Sequence, residues 1–154
     1  MPAIDQTIVD LGLTLPEVIT GHVAGESVAI DPSAARHAVR FPGTGEQIAT
    51  LQEDGAEAVG RAISTARDSF TSGLWSGAGT GTRQAAFREA ARLIRKNAEE
   101  LALLECLCAG LPSSHLASRQ VPRAADNLDF FADYIGVIAG ETFDQLSGYQ
   151  TQVS

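Results

Sequence analysis

The sequence predicts an α/β fold dominated by helix, with three long helices flanked by short β-strands. Two observations carry this. From about residue 53 to 139, apolar side chains recur at three- and four-residue spacing. Before about residue 50 the chain instead runs in short segments broken by Gly and Pro, and after residue 140 it turns back toward extended structure.

Residues 1–16 are expected to form a loosely held arm, and residues 17–52 a set of short strands. Glu17 to Gly25 reads as one strand ending at a Gly turn. His37 to Phe41 alternates, meets the turn Pro42-Gly43-Thr44-Gly45 and returns as Gln47 to Leu51. Both turn glycines are able to take positive φ. The expected arrangement is small and antiparallel.

The first helix is expected to start near Glu53-Asp54, with Val59, Ala62, Ile63, Ala66 and Phe70 on one face. Gly73 and the Ser/Gly-rich stretch 76–81 end it. A second helix, capped by Thr82, is expected to run unbroken to Ala109, about 40 Å at roughly 1.5 Å per residue. Its apolar set is Phe87, Ala90, Ala91, Ile94, Ala98, Leu101, Leu104 and Cys108. Arg88, Glu89, Arg92, Arg95, Lys96, Glu99 and Glu100 read as its solvated face. Gly110 and Pro112 stop it. The third helix is expected over His115 to Ala139, with a kink or fresh start at Pro122. Leu128, Phe131, Ile135 and Ile138 share one side. Gly140 ends it, and residues 148–153 read as a strand.

The 154 residues suffice for one domain with a core. A formal charge of −8 and the lack of a basic cluster beyond Arg92 to Lys96 argue against nucleic acid and anionic membranes. No apolar run approaches the roughly 20 residues of a membrane span, and Met1 to Asp10 does not read as a signal peptide. With only Cys106 and Cys108, no disulfide framework is expected, and the cytoplasm is the expected compartment.

Residue patterns alone yield no catalytic site. There is no Gly-x-Gly-x-x-Gly, no Walker loop and no Gly-x-Ser-x-Gly. Gly77 to Gly81 follows no strand, so it is a poor phosphate cradle. His22, His37 and His115 lack ligand spacing. Cys106 and Cys108 point roughly 200° apart on a helix, which suits no shared metal, and they are expected to be buried or half-buried, inert thiols. On composition and spacing the chain is a soluble α-rich domain.

The order of segments adds more. Phe41-Pro42-Gly43-Thr44-Gly45-Glu46-Gln47-Ile48-Ala49 resembles the Asn-Pro-x-Thr-Gly-Glu-x-Ile-Ala segment of aldehyde dehydrogenases. Ala58 to Phe70 with Gly73-Leu74-Trp75 resembles that family's first helix and its Trp, and Arg83 to Glu105 its long second helix. Gly110-Leu111-Pro112 stands where the family has Gly-Lys-Pro. Val121-Pro122-Arg123-Ala124-Ala125-Asp126-Asn127 with Phe130-Phe131-Ala132 resembles the third helix, and Gly140-Glu141-Thr142 the turn after it. The nearest flavour is the branch acting on muconic semialdehydes.

The resemblance implies the fold's N-terminal portion: residues 53–140 as the helical flank of the cofactor-binding domain and 141–154 as the start of the oligomerisation strand pair. It implies aldehyde oxidation through a cysteine thiolate, hydride transfer to NAD or NADP, and a glutamate-activated water. The family carries those groups after the last segment matched here. No catalytic or cofactor-binding residue is therefore assigned, and the chain alone is expected to bind no NAD(P) and to be inactive. The arginine of Pro-Arg-Ala, here Arg123, is implied to grip a substrate carboxylate, and Asn127 to line the same tunnel. The family's alkali-cation site uses backbone near residues 39 and 40 and an acid where Cys108 stands; a neutral thiol suits a hard cation poorly, so no metal site is assigned. The implied partner is a complementary catalytic chain or full-length subunits in an oligomer. The alternative is a non-catalytic truncated relative acting as an interaction or structural subunit.

Overall fold

The computed structural model describes residue 8 and residues 12–137, 140–144, 148 and 150–153. The expected contribution of Ile138 and the chain end at Ser154 lie outside them.

The first described strands are short: β1 (Val18–Ile19), β2 (His22–Val23) and β3 (Glu26–Ser27). The single strand expected over residues 17–25 is thus split. Thr20-Gly21 separates β1 from β2, and β2 turns through Ala24-Gly25 into an antiparallel pair with β3. Next, β4 (Arg36–Arg40) and β5 (Gln47–Gln52) form the expected hairpin, with a bulge between Val39 and Arg40. The Phe41 carbonyl accepts from the Gly45 N–H at 2.8 Å, and only Gly45 of the two turn glycines takes positive φ (+76°).

The sheet is ordered β1-β5-β4, and β1 runs parallel to β5, pairing Val18 with Thr50. The all-antiparallel expectation is corrected here. A parallel pair needs a long crossover, and residues 20–46 supply it. Gln52 is 4% exposed, yet its amide is satisfied. Its Oε1 accepts from the Asp31 N–H at 2.8 Å and its Nε2 donates to the Ala29 carbonyl at 3.1 Å.

The helices described after β5 are α1 (Ala56–Thr71), α2 (Thr80–Lys96), α3 (Ala98–Ala109), α4 (Ser113–His115) and α5 (Val121–Tyr134). A π-helical turn, Leu116–Gln120, joins α4 to α5. Gly79, not Thr82, caps α2, through backbone bonds from Thr82 and Arg83 to its carbonyl. The long second helix breaks at Asn97. There φ is −106° and ψ 22°, and the Asn97 side chain bonds back to the Leu93 carbonyl at 2.8 Å. Asn competes for backbone partners in this way, which disfavours it inside helices. The break shifts the phase of the buried face. Ala102 and Leu107 are buried in α3, whereas Leu101 and Cys108 are exposed.

In place of the kink or fresh start expected at Pro122, the backbone stays right-handed helical from the π-helical turn through Gln120 into α5, and Pro122 lies in the first turn of α5. The helix ends at Tyr134 instead of Ala139, because Gly136 already sits in a turn, bonding to the Asp133 carbonyl at 3.2 Å. Its inward stripe runs through buried Ala125 and Ala132 and half-buried Val121 and Leu128, and leaves Phe131 56% exposed. After it, β6 (Glu141–Asp144) pairs with β7 (Gln150–Val153). Residues 141–142 are therefore strand, not turn.

Two packed regions hold the chain. Along the α2–α5 seam, Ala91 and Ala125 are fully buried and Ala132 nearly so, and such small side chains let two helices approach closely. Polar groups cross the same seam: Gln84 Nε2 donates to the Ala132 carbonyl at 2.9 Å, and Arg88 pairs with Asp133 at 2.7 Å. The charged face of α2 is thus solvated, as expected, but part of it also clamps α5. Second, Leu107 of α3 meets Ile8 and Leu13, with Phe41, Ile48, Leu103 and Leu104 around them. Within the expected arm, Ile8 and Leu13 thus pack against α3. Gly110 closes α3 at φ +69° and lies against Pro42, where a Cβ would stand 3.1 Å from the proline Cβ.

Helix α1 is the exception. It has the expected apolar face, but Val59, Ile63 and Phe70 are 52%, 65% and 72% exposed, and only Ala58 is buried. Leu74 beyond it is exposed too, while Trp75 stacks on Phe87 of α2 with ring centres 6.2 Å apart.

Candidate functional site

The only assigned site residues lie at the start of α5. Arg123 is exposed and lines a cleft of about 450 Å³ with His115, Ser118, Arg119, Gln120 and Asp126. The cleft exists because the π-helical turn joins α4 to α5 just before Pro122. His115 and Gln120, five residues apart, span that turn with a 3.3 Å hydrogen bond between their side chains. Asn127 is exposed one turn beyond Arg123 and does not line this cleft. The structure thus groups Arg123 with Arg119 and His115 and leaves Asn127 apart from them.

Neither Arg119 nor Arg123 forms an ion pair among the described residues. Asp126, on the cleft wall, is bound by Arg95 of α2 at 2.7 Å, and Arg95 also holds Asp129 at 2.8 Å. The hydrogen bonds that Arg95 donates to Asp126 and then to Asp129 raise its pKa further above its already high ordinary value. Away from the cleft, the Arg92 guanidinium hydrogen-bonds Glu89 and holds its carboxyl below the usual range. The cleft therefore offers unpaired guanidinium donors, a match for a carboxylate. Sequence reasoning missed Arg119 and His115 here. The available signal was the four-residue spacing of Arg119 and Arg123, which places two side chains on one helical face.

The Gly-rich stretch lacks the strand that a phosphate cradle follows. Gly77 to Gly81 follows a turn, not a strand, and the Arg83 guanidinium folds back across it to the Ser76 carbonyl at 2.7 Å. Among the described residues no group of three or more His, Cys, Asp or Glu is placed to hold a metal. Cys106 is half-buried and Cys108 exposed, so the expected burial fails for Cys108. No described helix is long and apolar enough to cross a membrane.

The model of the aldehyde dehydrogenase family matches residues 30–154. A betaine aldehyde dehydrogenase of Vibrio vulnificus (strain CMCP6) is 28% identical over 123 residues, covering 80% of this chain and 25% of the relative. A 5-carboxymethyl-2-hydroxymuconate semialdehyde dehydrogenase of Escherichia coli is 30% identical over 102 residues, covering 66% of this chain and 21% of the relative. The crystal structure of an indole-3-acetaldehyde dehydrogenase complexed with NAD+ superposes with a TM-score of 0.76 at 28% identity, covering 92% of this chain and 28% of that one. The chain spans about a quarter of the length of the curated relatives it matches. With the ordered segments from Phe41 to Thr142 and the superposed helices both in hand, this chain belongs to the aldehyde dehydrogenase family.

Proposed function

We propose that this chain supplies the N-terminal flank of an NAD(P)-dependent enzyme that oxidises an acidic semialdehyde to a carboxylate. Polypeptide bearing the nucleotide-binding and catalytic segments completes it, and the chain alone has no dehydrogenase activity. The observation that carries this reading is the uncovered apolar face of α1. Val59, Ile63, Phe70 and Leu74 form a stripe that nothing among the described residues buries. Isolated soluble domains rarely leave such a stripe to water. Residues 53–140 then serve as the helical flank of the cofactor domain, and the β6–β7 pair opens the strand pair through which subunits meet. We place the enzyme in the cytoplasm, on the acidic composition and the two free cysteines. The solved indole-3-acetaldehyde dehydrogenase binds NAD+, which supports the cofactor class.

Arg123 is the substrate-carboxylate contact in this reading, and Asn127 meets the body of the same substrate. The cleft supports the first role through its unpaired guanidinium groups. A chimera tests it, in which residues 30–154 replace the matching region of the Escherichia coli semialdehyde dehydrogenase. Arg123→Ala is expected to raise KM for an acidic semialdehyde roughly tenfold, a lost charge-assisted hydrogen bond, and to leave KM for a neutral aldehyde unchanged. Equal effects on both aldehydes would refute the role. The same α1 face also favours the second reading, a non-catalytic subunit that docks on full-length enzymes. Restored NADH formation separates the two.

A further inference from the structure

Arg123 does not stand alone in its cleft. Arg119 lines the same wall four positions earlier, where two side chains share one face across the π-helical turn. We propose that Arg119 is the second arm of the site, so that a carboxylate is gripped between Arg119 and Arg123. This rests on the reading of Arg123 as a carboxylate contact and adds a second specificity-determining residue to it.

Three features argue for a pair. Like charges one helical turn apart repel, and among the described residues no carboxylate relieves Arg119 or Arg123. An anion between them does so. Asp126 sits three residues after Arg123, at a spacing suited to an intrahelical ion pair that would occupy the guanidinium. Instead it is drawn to Arg95 on α2, where Asp129 completes a three-membered network. Arg95 thus acts as a positioning residue that keeps Asp126 off Arg123. Finally, the His115–Gln120 bond spans the turn that carries Arg119, and both residues line the same cleft.

The test uses the 154-residue chain and glutarate as the probe. Arginine side-chain N–H resonances are followed by NMR at constant ionic strength. Saturable, parallel shifts of Arg119 and Arg123 are expected, with Arg88 and Arg92 unmoved. Arg119→Ala and Arg123→Ala are each expected to weaken glutarate binding roughly tenfold, as charge-assisted bonds are lost, and Arg119→Lys to restore part of it. A response of Arg123 with Arg119 silent would overturn the two-armed site and spare the reading of Arg123. Silence at both would overturn both. Equal shifts with sodium chloride would reduce the cleft to a general ion atmosphere and overturn the proposal.

Discussion

Leu116→Ala is expected to cost the chain about 3 kcal/mol of stability, within the range of roughly 2–5 kcal/mol for Leu deletions in cores. Leu116 opens the π-helical turn and is 1% exposed, the largest side chain so fully buried among the described residues. It borders a groove formed with Ile94, Leu101, Leu111 and Val121, so it ties α3 to the turn and to the start of α5. The helices around it are clamped elsewhere by Ala91, Ala125 and the Arg88–Asp133 pair, so the void cannot close easily. A domain is typically stable by only about 5–15 kcal/mol, so such a loss is a large share. Urea denaturation followed by circular dichroism checks it. A loss below about 1 kcal/mol would show that the site collapses freely and that the turn does not depend on Leu116.

Ile63→Lys is expected to behave in the opposite way. Ile63 is 65% exposed in the middle of α1, and Lys is a good helix former, so the isolated chain should change by less than about 0.5 kcal/mol. On the proposed reading the catalytic polypeptide covers the same residue. Burying an apolar side chain of this size contributes roughly 1.5–3 kcal/mol, and an unpaired ammonium in its place adds a further penalty. Association with the catalytic polypeptide should therefore weaken by about 3 kcal/mol or more, beyond roughly 100-fold. Denaturation of the chain and calorimetry of the complex check the two halves. A large loss in the isolated chain would place α1 in its own core. Unchanged association would place this face outside the assembly.

Local chemistry was legible in the sequence where short-range rules governed it. Pro42 to Gly45 announced the β4–β5 hairpin, and the resemblance fixed the family from ordered segments. Long-range choices were not legible. The parallel pairing of β1 with β5 joins residues about 30 apart, and no local signal encodes it. Asn97 sits within an apolar phase that continues on both sides, so its backward bond to Leu93 was hidden. On α1 the pattern gave the apolar face correctly but not its lack of cover, because a pattern records which side chains seek burial and not what buries them. Arg123 emerged only by resemblance. Arg119 and His115 joined it only once the π-helical turn had brought them to one cleft.

We propose that this chain acts only as a flank completed by catalytic polypeptide. It is tested most directly by NADH formation at 340 nm with an acidic semialdehyde, measured for the chain alone and after co-expression with a polypeptide carrying the family's nucleotide-binding and catalytic segments. The chain alone should give no NADH, and the two together should co-purify and form it. NADH formation by the chain alone, or a chain that stays a monomer beside that partner and restores nothing, would contradict it.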